Sequence, residues 1–356
     1  AIKAQNFILM KKLFFLFFAS IMITACTKDD PGGDPGIYDN GVFVVNEGPF
    51  GTGTGTLTFI GDDGNLTQKV FEKENGNVVL GNIAQSMIWH NNRYYIVVNN
   101  ANKIVVADKD MKVVGEITGL TGPRFMVAQG NKAYISEWGE NYEKGGVAIA
   151  DLTSLKVVKQ IPTGKGPEAL LLDGNQLLVP NGGSYNASTF ETLPDSTISV
   201  IDIGSESVTK VISVKYNPNS IIKAGNGYLV ASAEKSFGTN NGSIYFIRSS
   251  DNSVTKVAGA TTGSYAKLHK VDETKSVVIS GFAEALLLTF DAAAVSMTQK
   301  ALDFAYSVDY DIKRKLIYIA DAGDFSSEGK VITYNVNGTK EKEFAAGIIP
   351  GNFCFR

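Results

Sequence analysis

Short apolar runs that end on a polar or small residue return seven times along the chain: FVVN at Phe43, IVVN at Ile96, YISE at Tyr134, LVPN at Leu178, LVAS at Leu229, VISG at Val278 and YIAD at Tyr318. Each is bounded by turn residues and rich in β-branched and aromatic side chains, so each predicts a buried strand. A second apolar strand follows every copy across a Gly- or Asn-rich loop, as in TLTFI at Thr56, GVAIAD at Gly146 and KVITYN at Lys330. A more polar segment comes next. LTQKVF, KVVGEI, KVVKQI and SVTKVI mix Thr, Lys and Val in the manner of a half-exposed outer strand. One further strand, opened by Gly or Pro in GPRFMVA, GPEALLL and NPNSIIK, leads into the next apolar copy.

Four strands per repeat with a period of roughly 40 to 50 residues is the pattern of propeller blades around a central channel. Seven copies predict an all-β, seven-bladed β-propeller with four-stranded antiparallel blades. The first recognisable strand, residues 42–46, is of the second type, and the last segment, IIPGNFCFR, is of the first type. The two ends are therefore expected to share one blade, which removes the free edges that an open sheet presents. No linker or shift of composition interrupts the repeats, so residues 41–356 are assigned to one propeller domain.

The chain's 37 glycines and 44% hydrophobic residues suit many turns around a large core. A formal charge of −3 with dispersed Lys and Arg forms no basic stripe and argues against nucleic acid as a partner. Ahead of the repeats the pattern changes. MKKLFFLFFASIMITAC starts at Met10 with two lysines before an apolar stretch of about a dozen residues, short for a membrane span. Residues 10–25 are read as a signal peptide, with Ile23, Thr24, Ala25 and Cys26 matching the lipobox of a bacterial lipoprotein; a plain transmembrane anchor is the alternative. Residues 1–9 are read as upstream read-through and residues 26–40 as a lipidated flexible tether. Several acyl chains on Cys26 would anchor durably where a single chain binds reversibly. Cys354, the other of two cysteines, is left without a disulfide partner and is expected to pack in the closing strand.

Loop length separates the two faces of the ring. Long loops read NEGPFGTGTG from Asn46, EWGENYEKG from Glu137, NGGSYNASTFETLPDS from Asn181, SAEKSFGTNNG from Ser232 and DAGDFSSEG from Asp321, whereas AQGNK, LDGNQ and KAGNG turn tightly on the other side. Long loops add little closure entropy and carry variable chemistry, so they mark the ligand face. The aromatic residues Phe50, Trp138, Tyr142, Tyr185, Phe237 and Phe325, with Phe190 and Phe282, are expected to ring a large flat ligand. Asn46, Glu47, Glu137, Asn181 and Asp324, with Arg124 and Glu168 at first-strand entrances, are the polar candidates for orienting it. Two plainer readings stand beside these. Loop aromatics can pack on neighbouring loops, and Asp321 and Asp324 can bond their own turn.

The phrase IPTGKGPEALLLDGNQLLVPNGG, residues 161–183, resembles the YVTN or YncE-like repeats of bacterial surface propellers, and the resemblance spans essentially the whole chain after the tether. NEGPFGTGTGTLTFI, IAQSMIW, LTGPRFMVAQGNKAYISEWGE and DAGDFSSEGKVITYNVNGTKEKEFAAGIIPGNFCF are similar to the BtuG-type surface lipoproteins that carry a DUF5074 propeller. That resemblance implies capture of cobalamin or another corrinoid outside the cell and its delivery to a TonB-dependent outer-membrane transporter. The residues after Cys26, TKDDPGGDPG, are similar to an acidic lipoprotein export signal, which implies an outer-membrane, surface-exposed location; a solvated spacer is the alternative. A surface adhesion or scaffold propeller that binds a protein or glycan is the second functional reading.

Catalysis finds little support in the residues. His90 and His269 sit at ends of predicted first strands, no His- or Cys-rich cluster has metal spacing, and no nucleophile elbow is present. The GTGTGT run has no helix behind it to make a phosphate loop. The chain is therefore expected not to be an enzyme, to need no cofactor and to hold no metal. Propellers also serve as lactonases and quinoprotein dehydrogenases, which keeps a propeller enzyme as a third reading.

Overall fold

A computed structural model describes residues 36–356 apart from 187, 190, 234–241, 261, 263–265 and 281–283. The read-through, the signal peptide, Cys26 and the tether up to residue 35 lie outside the described residues, as do Phe190, Phe237 and Phe282.

Among the described residues the strands form seven four-stranded antiparallel sheets and one two-stranded hairpin. Blade 1 runs from the inside outwards as Pro350–Phe355, Gly41–Asn46, Thr56–Gly61 and Leu66–Thr67, so the last segment of the chain supplies the inner strand of the first blade. The inner strands of blades 2 to 7 are Ala84–His90, Pro123–Gln129, Leu171–Asp173, Pro218–Ala224, Leu268–Lys270 and Ser307–Asp311. Ser307–Asp311 touches Pro350–Phe355, which touches Ala84–His90 in turn, and this closes the ring.

Seven apolar clusters lie between neighbouring blades. Phe43 and Val45 point into the cluster with Tyr94 and Ile96 of blade 2, while Val42 and Val44 of the same strand point into the cluster with Tyr318 and Ala320 of blade 7. Successive side chains of a strand leave on opposite faces, and here both faces are covered. That is why the strand sequences read as continuous apolar runs.

The outer edge of blade 1 departs from the sequence reading. LTQKVF was expected to be one strand, but the strand stops at Thr67 and Val70–Glu74 forms one helical turn. Val70 and Phe71 are adjacent and both buried in the core between blades 1 and 2. A strand would send them to opposite faces, whereas a helical turn delivers both to one.

Blade 1 is locked at the short-turn face. The Arg356 amide donates to the Gly41 carbonyl at 3.0 Å, and its guanidinium pairs with Asp39 and lies 3.4 Å over the Trp89 ring of blade 2. Arg314 of blade 7 pairs with Asp62 and Asp311 and donates to the Arg356 carbonyl at 2.8 Å. Cys354 lies in the core between blades 1 and 2, and burial pushes its thiol up to about 12. No helix among the described residues is long and apolar enough to cross a membrane.

Candidate functional site

The long-loop face opens on the axis where the inner strands begin. At this point each blade carries a small residue or proline followed by a variable residue: Ala84-Gln85, Pro123-Arg124, Pro167-Glu168, Pro218-Asn219, Ala266-Lys267, Ala305-Tyr306 and Pro350-Gly351. The register of the sheet slips between Ala84 and Ser86, between Pro123 and Met126, between Pro218 and Ser220, and opposite Gly351. Such a bulge takes a residue out of the ladder and re-aims its side chain. The strand edge thereby presents a ring of side chains at the mouth of the channel.

Three of the ring positions, Arg124, Glu168 and Lys267, act through charge on one another and on Glu47. Arg124 Nη2 lies 3.1 Å from Glu168 Oε1, and another guanidinium nitrogen of Arg124 donates to Gln85 Oε1. Lys267 Nζ donates to the Gly351 carbonyl at 2.8 Å and to Ser307 Oγ at 3.3 Å, and it lies 5.0 Å from the centre of the Tyr306 ring. Tyr306 Oη donates to Glu47 Oε2 at 3.0 Å. Burial pushes the Glu47 carboxyl above the ordinary carboxylate range, against the opposing pull of Lys267 and Arg124. Burial likewise holds the Lys267 ammonium below the usual lysine range.

One wall of the mouth is aromatic. Trp138 Nε1 donates to Glu168 Oε1 at 3.1 Å while the Arg124 guanidinium lies 4.4 Å from the centre of the indole. Tyr142 packs edge-on against Trp138 at 5.4 Å, and Tyr185 stands 6.0 Å from Trp138 and 5.4 Å from Tyr142. Tyr185 belongs to the extra hairpin, Ser184–Tyr185 with Thr192–Leu193, and Asn186 Nδ2 donates across to Glu143 Oε1 at 2.8 Å, fastening the blade 4 loop to the blade 3 loop. On the far side Phe325 meets Tyr306 edge-on at 5.4 Å.

The structure thus gathers Glu47, Arg124, Trp138 and Glu168 at the mouth, with Tyr142 and Tyr185 behind Trp138 and Phe325 against Tyr306. It gives others a different place. Asn46 and Asn181 are fully buried. Asn46 donates to Thr58 Oγ1 at 3.1 Å and accepts from the Gly347 amide at 3.0 Å, and Asn181 donates to Thr197 Oγ1 at 2.9 Å and Ser199 Oγ at 3.1 Å. These two fasten blade edges from inside the strand ladder, and the Asn181 amide oxygen is left without a partner. Asp324 bonds its own loop, accepting from the Ser326 and Ser327 amides at 2.9 and 2.7 Å, which holds its carboxyl down at about 2. Phe50 is 65% exposed, so among the described residues the aromatics form a wall and scattered points. Gln85, Asn219, Lys267 and Tyr306 belong to the mouth and were not singled out from sequence. Their signal is the shared position after Ala or Pro, since the residue type changes from blade to blade.

Glu137 is buried, and its Oε1 accepts from the Thr121 amide at 2.6 Å. Burial raises its pKa from the ordinary 4.5 to about 7, so the folded state holds this proton more tightly than the unfolded chain does. The stability linked to it is full below about pH 4.5 and is lost as pH rises through about 7, by on the order of 3 kcal/mol. Glu137→Gln keeps an acceptor for Thr121 and removes the ionisation. Thermal unfolding between about pH 5 and pH 8 is expected to show the wild type losing stability relative to the variant; parallel curves would contradict the assignment.

A model of the family described as "Domain of unknown function (DUF5074)" matches residues 40–237. No curated protein matches the chain. Among solved structures the chain is similar to a quinoprotein alcohol dehydrogenase-like protein from Bacteroides thetaiotaomicron, at 13% identity and a TM-score of 0.63 over 89% of this chain and 78% of that one. It is also similar to the periplasmic gluconolactonase of Pseudomonas aeruginosa, at 9% identity and a TM-score of 0.60 over 88% and 98% of the two chains. Hydrazine synthase of Kuenenia stuttgartiensis gives 15% identity and a TM-score of 0.60 over 76% and 88%. At these identities the likeness is one of fold. It nevertheless corrects the expectation that the chain is not an enzyme, because these propellers include proteins named as enzymes, and the exclusion of catalysis falls.

Proposed function

Since the chain belongs to the DUF5074 family, whose model spans more than half of it, we propose that this propeller captures a large ligand at the mouth of its axial channel and that the ligand is a corrinoid such as cobalamin. The observation that carries the reading is the pairing of an aromatic wall with a ring of alternating donors and acceptors: Trp138, Tyr142 and Tyr185 stand beside Arg124 and Glu168. A corrinoid presents a broad apolar ring edged with amides, which need both acceptors and donors. Large ligands of this kind are held by stacking area with a few placed polar groups. The lipobox ending at Cys26 and the acidic residues after it support a lipid-anchored protein at the outer face of the outer membrane, handing its ligand to a TonB-dependent transporter.

The test is calorimetric titration of the purified full chain in detergent with cyanocobalamin, repeated on Trp138→Ala. Binding is expected in the wild type, weakened about tenfold or more in the variant, which loses the stacking surface and the indole that pins Arg124 and Glu168. Absence of heat at micromolar protein would overturn the corrinoid reading; equal binding by the variant would move the site away from this wall.

A further inference from the structure

We infer that Glu47 is the seventh member of the mouth ring, seated in the place that Gly351 leaves empty, and that its carboxylate makes the mouth selective for uncharged, amide-bearing ligands over anionic ones. Six blades fill the ring position with a side chain, and blade 1 has Gly351 there. The backbone at Gly351 is not in the left-handed region, so conformation does not require glycine. Room does. A Cβ at 351 would stand 2.5 Å from Glu47 Oε1, 2.9 Å from its Cγ and 3.0 Å from its Cδ. The side chain of the second strand's end has therefore taken over the seat of the inner strand, and the hydroxyl of Tyr306, the ring member of blade 7, holds it there at 3.0 Å.

The exchange changes the charge of the mouth. Arg124 and Lys267 face two carboxylates, Glu47 and Glu168, and their charges act on one another across the ring. With Glu47 ionised, the state that Lys267 and Arg124 favour against its burial, the four charges balance; without it the mouth would carry a net positive charge and favour anions. A ligand amide can donate to a carboxylate and accept from Arg124 or Lys267. A ligand carboxylate instead meets Glu47 and Glu168 in a partly desolvated place, where like charges discriminate strongly. This part of the inference rests on the reading of the mouth as a ligand site, whereas the seat itself does not.

Two measurements on the full chain separate the two. Glu47→Ala vacates a carboxylate-shaped seat next to Tyr306, so added formate is expected to raise the melting temperature of the variant by about 2–4 °C and leave the wild type unchanged. No formate effect in the variant, or an equal effect in both proteins, overturns the seat. For selectivity, the wild type is expected to bind cyanocobalamin about tenfold or more tightly than its monocarboxylic acid, in which one peripheral amide is hydrolysed, and Glu47→Gln is expected to narrow that ratio to about threefold or less. An unchanged ratio in Glu47→Gln, its fold checked by circular dichroism, overturns the selectivity. If the wild type binds neither corrinoid, the corrinoid reading and this selectivity fail together, while the formate measurement still decides the seat.

Discussion

Phe43→Ala is expected to cost about 3–5 kcal/mol of stability, the range for removing a large buried aromatic side chain. Phe43 is fully buried in the second strand of the shared blade, with ring centres 4.9 Å from Phe59, 5.1 Å from Tyr94 and 5.4 Å from Tyr38. Its backbone register partner is Cys354 of the closing strand. The cavity would therefore open at the one sheet where the two ends of the chain meet, in the cluster joining blade 1 to blade 2. Phe246→Ala, which empties a comparable volume between blades 5 and 6, is the control for cavity formation alone. Chemical denaturation of both variants should show similar losses, and native-state proteolysis should find Phe43→Ala cut first near Gly41 and Pro350. A loss below about 1 kcal/mol for Phe43→Ala would mean that the shared blade does not hold the ring closed.

Arg124→Ala is the second large effect. Its guanidinium pairs with Glu168, is bonded to Gln85 and covers Trp138, so the truncation leaves the carboxylate of Glu168 with its cation gone. Removing one partner of a buried ion pair costs about 3–5 kcal/mol, but both side chains keep some water contact, 17% and 14% exposed, which lowers the expectation to about 2–3 kcal/mol. Arg124→Lys should recover little, because an ammonium cannot span Glu168 and Gln85 or lie flat on the indole. Arg124→Met combined with Glu168→Leu should recover most of the loss, since no charge is then stranded. A double-mutant cycle in urea measures this coupling, expected to be about 1–3 kcal/mol. Coupling near zero would show that Arg124 stabilises through Gln85 and Trp138 and not through Glu168.

Much of this fold was legible because a propeller blade leaves a strong mark in sequence. The runs at Phe43, Ile96 and Tyr134 are apolar on both sides of the strand, and a strand covered on both faces has no choice but to be so. The shared blade could be read from the order of strand types at the two ends. The site was legible only in part. Arg124 and Glu168 stood out because Gly-Pro announced their strands, whereas Lys267 and Tyr306 follow alanines in segments without that signal. The ring repeats a position, not a residue type, and in blades 1, 2, 3 and 5 that position sits at a slip of register that residue types do not encode. Asn46 and Asn181 looked like loop residues able to face a ligand, yet the pairing of the strands continues to them; the Asn46 amide is bonded at both ends inside the blade, whereas Asn181 bonds through its nitrogen.

Each cluster of the ring is built from two neighbouring blades, and blade 1 waits for its inner strand until the end of the chain. The timing of synthesis is thereby written into the architecture. While the middle blades can dock on one another as they emerge, the strand of Val42 to Val45 keeps a bare hydrogen-bonding edge until Pro350–Phe355 arrives, and the face of Val42 and Val44 stays uncovered until blade 7 is made. A nascent chain halted one blade early is left with a sticky strip in blade 1, so residues 350–355 decide whether residues 41–46 become soluble.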